Sequence, residues 1–209
     1  MQSRDEILKN IYNLYIKYGF KSITIDDFAF QLGISKKTIY SYFKNKEEIV
    51  RYVTEHFIYT LRNEVNDSLL KKNDFLDKLI GIYINLIACF SNINPVFFIT
   101  LKKFFLNQYN LIINYRDKEY NEIIKKLMIE GIEKGIFRDD IPLESIIFSQ
   151  QNYFNMFLNE KHSTEQSLNI DTKTLLSLLI NGIRGITTIQ GHKFLNDKLN
   201  NMPEVQFNN

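Results

Sequence analysis

The 209-residue sequence predicts an all-α fold. A three-helix N-terminal domain precedes a larger helical one, with about nine helices in all. Three observations carry this reading. Apolar residues recur at about 3.6-residue spacing almost end to end, the period of a helix with one buried face. Only 8 Gly and 3 Pro punctuate the chain, too few for turn-rich β folds or for the glycine loops of Rossmann-type and P-loop enzymes. Hydrophobic residues make up 44% and charged residues 24%, the balance of a globular chain rather than a disordered one. No apolar run approaches the roughly 18 residues of a membrane-spanning helix. Residues 1–6 enter a charged stretch without the apolar core of a signal peptide, so a cytoplasmic location with no membrane partner is expected. The single Cys89 excludes an internal disulfide, and His56, His162 and His192 lie too far apart to suggest a metal centre. No metal or cofactor is implied.

Taken in order, Ile7, Ile11, Leu14, Tyr15 and Tyr18 line a first helix, which Gly19 ends as a left-handed cap. Thr24 offers an N-cap, with Asp26 and Asp27 in the first turn beside the positive helix end. That short helix, 25–32, closes at Gly33. Ser35 caps a third helix, and Asn45 caps a fourth, with Glu48 spaced for the return contact of a capping box. Val50, Val53, Phe57, Leu61, Val65 and Leu69 mark a long connecting helix, and Leu76, Leu79, Tyr83, Leu86 and Phe90 the next. Asn94-Pro95 forces a break, because proline disfavours helical backbone in the residue before it. A Phe-rich segment, 97–111, follows. Tyr120 to Gly131 form a helix closed near Gly135, and Pro142 starts another that runs through Leu158. The polar stretch 159–171 is expected to be a loop, 175–189 a last apolar helix, and 193–209 a frayed tail. The domain boundaries follow as 1–46, 47–195 and a flexible tail from 196.

Charge is unevenly spread. Residues 1–60 hold nine Lys/Arg against seven Asp/Glu, whereas 61–209 hold seventeen of each. Lys36, Lys37, Lys44 and Lys46 fall within 33–46, a segment with no acid. The stretch 25–43 has the dimensions of a helix-turn-helix, with Gly33 free to take positive φ in the turn and Ala29 small where the two helices approach. Ile34, Ile39 and Phe43 can anchor the second helix. Ser35, Lys36, Lys37, Thr38, Tyr40, Ser41 and Tyr42 then face outward, as donors and cations on a helix that fits a major groove.

The string from Thr24 to Ile49, with the helix-ending Gly19-Phe20 and the Tyr-x-Tyr-Phe-x-x-Lys run from Tyr40 to Lys46, closely resembles the N-terminal domain of TetR-type transcriptional regulators. The resemblance covers about residues 4–55. It implies a homodimeric protein that binds double-stranded DNA, is not an enzyme and has no catalytic residues, and whose C-terminal helices bind an unknown small-molecule effector. Most such proteins repress, and ligand usually releases them from a palindromic operator. Carried over residue by residue, Thr24 meets a phosphate with its hydroxyl and free N–H groups. Thr38 and Tyr40 contact phosphates or thymine methyls, Tyr42 a phosphate, and Lys46 the backbone from the start of the long helix. Lys36 and Lys37 occupy the positions that reach base edges, and Ser35 caps the recognition helix at the same surface. Ile25 departs from the pattern, standing where many relatives carry a second polar contact.

For the C-terminal region, Leu175, Leu178, Leu179, Ile183 and Ile186 supply apolar area for a dimer interface, with Gly182 and Gly185 letting a partner backbone approach. Ile147, Phe154 and Phe157 of the preceding helix complete a four-helix contact. Tyr83, Phe90, Phe97, Phe105, Tyr109, Tyr153 and Phe157 are the candidate lining of a largely apolar effector cavity. Two other readings remain at this point: a helical ligand- or partner-binding protein with an inactive helix-turn-helix, and a transcriptional activator of the same fold.

Overall fold

The structure, a computed structural model of the chain, describes residues 4–20, 22–158 and 172–202. Among these it is helical almost throughout, with one isolated β-bridge between Phe137 and Thr187. The helices are α1 (Arg4–Tyr18), α2 (Ile25–Leu32), α3 (Lys36–Tyr42), α4 (Lys46–Lys71), α5 (Phe75–Ser91), α6 (Val96–Phe104), α7 (Leu106–Tyr115), α8 (Asn121–Glu133), α9 (Leu143–Leu158), α10 (Thr172–Gly185) and α11 (Ile189–Asn200). A π-helical turn, Arg116–Tyr120, joins α7 to α8. No single helix among the described residues is long and apolar enough to cross a membrane.

These residues gather into two compact units. One holds the chain up to Thr60 together with Ser91–Tyr115; the other holds Leu61–Phe90, Arg116–Phe157, α10 and α11. The boundary falls inside α4, so the unit that carries the helix-turn-helix extends beyond residue 46. Its core is aromatic. Tyr15 of α1 meets Phe20 and Phe28 with ring centroids 4.5 and 4.6 Å apart, and Phe20 continues to Phe97 at 4.8 Å and Phe105 at 5.9 Å. Phe57 of α4 packs edge-on against Phe97 and Phe98. Gly19 ends α1 at φ 79°, its N–H returning to the Tyr15 carbonyl at 2.8 Å, and a side chain there would press on Val96. The Phe-rich stretch read as one segment is two helices, because the backbone turns at Phe105 (φ −137°, ψ 55°).

In the second unit the rings of Phe75 and Phe137 meet at right angles, 5.4 Å apart, over Gly131, where a Cβ would come within 2.2 Å of Phe137. The expected frayed tail is corrected by α11. Thr188 caps it, accepting the Gly191 N–H at 2.9 Å, and Leu195 and Leu199 are buried. Gly191 lets the helix sit on the Ile136 carbonyl, which a Cβ would approach to 1.9 Å. Lys198 near its end is held by Asp74 and by Asp77, the latter at 2.6 Å. The helix therefore continues through residues 196–200. The loop expected at 159–171 and the remaining tail, 203–209, lie outside the described residues.

Candidate nucleic-acid interface

The helix-turn-helix is built by local chemistry. Thr24 caps α2 in extended conformation, and its Oγ1 accepts the Asp27 N–H at 3.2 Å. The Asp27 carboxylate in turn accepts both the Thr24 N–H at 2.8 Å and the Thr24 hydroxyl at 2.7 Å. Those bonds hold the Asp27 carboxyl below its ordinary range, since they favour the charged form. The free N–H expected on Thr24 for a phosphate is therefore already committed: the capping-box return residue takes it. Gly33 then turns the chain at φ 62°, and the Ile34 N–H closes onto the Ala29 carbonyl at 3.0 Å.

Ser35 caps α3 by accepting the Thr38 N–H at 3.0 Å, and its hydroxyl lies 2.9 Å from that of Thr38. Ile39 and Phe43 are buried and pin the helix. Lys37, Tyr40 and Ser41 are left exposed, with Thr38 and Tyr42 half-buried. Lys36 is exposed too, but its ammonium forms an ion pair with Asp26 at 2.5 Å, across the turn. At the start of α4, Asn45 accepts the Glu48 N–H at 2.9 Å, while Glu48 reaches back past Asn45 to the Lys44 N–H at 2.6 Å. Lys46, the first residue of α4, is half-buried. The eight predicted DNA-facing residues thus come together on the helix-turn-helix and the adjoining end of α4. Asp26 and Asp27 join them. The Thr-x-x-Asp spacing announces the second; the first, ten positions from its lysine, has no local signal.

The effector candidates divide between the units. Phe97, Phe105 and Tyr109 belong to the first, where packing against Phe20 and Phe57 accounts for both phenylalanines. Tyr83, Phe90, Tyr153 and Phe157 belong to the second. Tyr83 is buried and donates to the Gln150 side-chain carbonyl, and burial pushes its hydroxyl well above the ordinary tyrosine range. Phe90 stacks on Phe157 at 4.7 Å and meets Phe154 edge-on at 5.5 Å.

Of the dimer candidates, Phe154, Leu179 and Ile183 are buried within the protomer itself. Leu175, Gly182 and Ile186 are half-buried, and Leu178 and Gly185 are exposed. Gly182 serves its own chain: a Cβ there would lie 2.3 Å from the Tyr153 hydroxyl, so the small residue seats that ring. Gly185 has nothing within 4 Å of that position.

Comparison with known proteins adds to this geometry. Residues 7–53 match the family model described as bacterial regulatory proteins, tetR family. The HTH-type transcriptional repressor KstR2 of Mycolicibacterium smegmatis is 27% identical over 150 residues, spanning 68% of this chain and 71% of that protein. The biofilm operon negative transcriptional regulator IcaR of Staphylococcus epidermidis is 31% identical over 80 residues, 38% of this chain and 41% of its own length. Among solved structures, the ketosteroid transcriptional regulator KstR2 of Mycobacterium tuberculosis superposes with a TM-score of 0.61 at 19% identity, covering 90% of this chain and 97% of that one. At that identity the likeness speaks for the fold.

Proposed function

This chain is a transcriptional regulator of the TetR family, and from that premise we propose that it represses transcription as a homodimer on a palindromic operator, released by a small, largely apolar effector. The single observation that carries the reading is the capped outward face of α3: Lys37, Tyr40 and Ser41 exposed on a helix pinned from behind by Ile39 and Phe43. A helix presented this way enters a major groove, and two copies related by a twofold axis reach two half-sites. In this reading Lys37 donates to a base edge, with Lys36 beside it. Thr38, Tyr40, Tyr42 and Lys46 contact the backbone, while Thr24, with both donors on Asp27, holds the start of α2 at that surface and Ser35 the start of α3. Phosphate contacts set register; base contacts choose sequence.

The second unit supplies the partner and the effector. Leu175, Leu178, Gly185 and Ile186 are the accessible members of the dimer surface, and Leu179, Ile183, Phe154 and Gly182 support it from within. Tyr83, Phe90, Tyr153 and Phe157 are the effector candidates in this unit, with Phe90 stacked on Phe157, residue types that suit an apolar ligand. Selection from a randomised duplex library tests the whole. An inverted repeat is expected, with log K falling by about 0.9 per neutralised phosphate for each decade of salt. No enrichment, with or without candidate ligands, overturns it.

A further inference from the structure

A groove of about 520 Å³ in the first unit lies between the opening turns of α4 and the start of α7. Its size suits a small ligand. On the α7 side the wall includes Gln108, which is only 6% exposed. The Gln108 side-chain amide makes no hydrogen bond among the described residues, and as part of the wall it borders open space rather than a sealed interior. Buried polar groups are almost always satisfied, so an idle amide at a cavity wall calls for a partner from outside. A carboxamide donates and accepts at once, and another amide answers both needs. Asn107 adds an exposed carboxamide to the same wall, and Leu111 an apolar surface. The α4 side is charged, and most of its groups are committed. Arg51 and Glu55 neutralise each other at 3.0 Å, Asn45 accepts the Glu48 N–H at 2.9 Å, and Glu48 accepts the Lys44 N–H at 2.6 Å. The Lys44 ammonium and the Glu47 carboxylate are left over, both exposed and neither in an ion pair among the described residues.

One open charge of each sign, an idle buried amide and a short apolar wall complement a molecule that carries an ammonium, a carboxylate and an amide between them. We propose that this groove binds a short peptide with free termini, of dipeptide size. Its peptide group pairs with the Gln108 amide, its ammonium meets Glu47, and its carboxylate meets Lys44. An apolar side chain rests on Leu111. None of the residues assigned above to the operator or to the effector lines the groove, so the site goes beyond that reading and does not depend on it.

The test is titration of the full chain by calorimetry at neutral pH and low salt with four probes. They are alanyl-leucine, its N-acetyl form, its C-terminal amide, and 5-aminopentanoate, which spaces the two charges equally without a peptide group. Alanyl-leucine is expected to bind about threefold tighter than either capped form, the worth of an exposed ion pair, and the margin shrinks as salt rises. The aminopentanoate binds more weakly too, because it leaves the Gln108 amide idle. Each substitution removes one margin. Glu47→Gln makes the dipeptide no better than its N-acetyl form, Lys44→Gln no better than its amide, and Gln108→Leu no better than 5-aminopentanoate. Lys44 and Glu47 are exposed, so neither change threatens the fold. Equal binding of the four probes, binding that none of the three substitutions alters, or no binding at millimolar concentration each overturns the proposal.

Discussion

Lys36 and Lys37 are neighbours in sequence with different surroundings. Lys37 faces solvent, whereas Lys36 is shared with Asp26, whose carboxylate stands at the end of α2 that a phosphate would approach. An exposed pair of this kind stabilises the fold by only about 0–1 kcal/mol, so its weight falls on binding. Asp26→Asn is expected to tighten operator binding a few-fold at low salt, because it removes a negative charge from a surface that meets polyanion. A loss of affinity instead would mean that the carboxylate aims Lys36. Lys37→Ala should change which bases are preferred, and Lys46→Ala should weaken all sequences alike, both read by competition on half-site variants. His56 offers a different measurement. Its ring sits against Tyr12 at 4.5 Å and near Tyr52 and Tyr59, and burial lowers its pKa from 6.5. The folded state thus prefers the neutral ring. Stability is retained above about pH 6.5 and declines as pH falls below it, since the unfolded chain binds the proton first. Urea unfolding at pH 7.5 and 5.5 should show this loss, and His56→Gln should remove the part that belongs to the imidazole.

At the scale of elements, what was legible in the sequence is what backbone chemistry decides locally. Gly19, Gly33 and Gly135 all take positive φ, and each ends a helix where the apolar spacing stops. Thr24, Ser35 and Asn45 cap as their side chains dictate. Partners distant in sequence were not legible. The aromatic run offered Phe97 and Phe105 as effector lining, without showing that the rings of Phe20 and Phe57 pack against them. Gly182 signalled a close approach without saying that Tyr153 makes it. The polar composition of α11 hides it in the sequence, and its docking includes one small residue against a carbonyl 55 positions away, Gly191 on Ile136. Backbone on that side cannot yield as a side-chain tip can. Gly191→Ala should therefore destabilise the protein by about 1–3 kcal/mol, the usual cost of overpacking, and far-UV dichroism should show whether α11 frays with it. An unchanged denaturation midpoint would contradict the docking of α11.

For the whole molecule, charge is divided unevenly: the excess of cations lies in residues 1–60, and the remainder is balanced. In the proposed dimer, adjacent leucines of α10 separate association from folding. Leu178 is 40% exposed and Leu179 4%. Leu178→Glu is expected to give a folded monomer by sedimentation, with operator affinity lost because half-sites are no longer joined. Leu179→Glu should fail to fold, since it buries an unpaired charge. A Leu178→Glu protein that remains dimeric would move the interface elsewhere. The long helix α4 links all this. Val53 and Phe57 are buried in the first unit and Leu61 and Val65 in the second, on one uninterrupted run of helical hydrogen bonds. One continuous helix thus carries core residues of both units. Heating should accordingly give a single calorimetric peak whose van't Hoff and integrated enthalpies agree, and a proline at Thr60, which cuts the rod between the two, should resolve it into a pair.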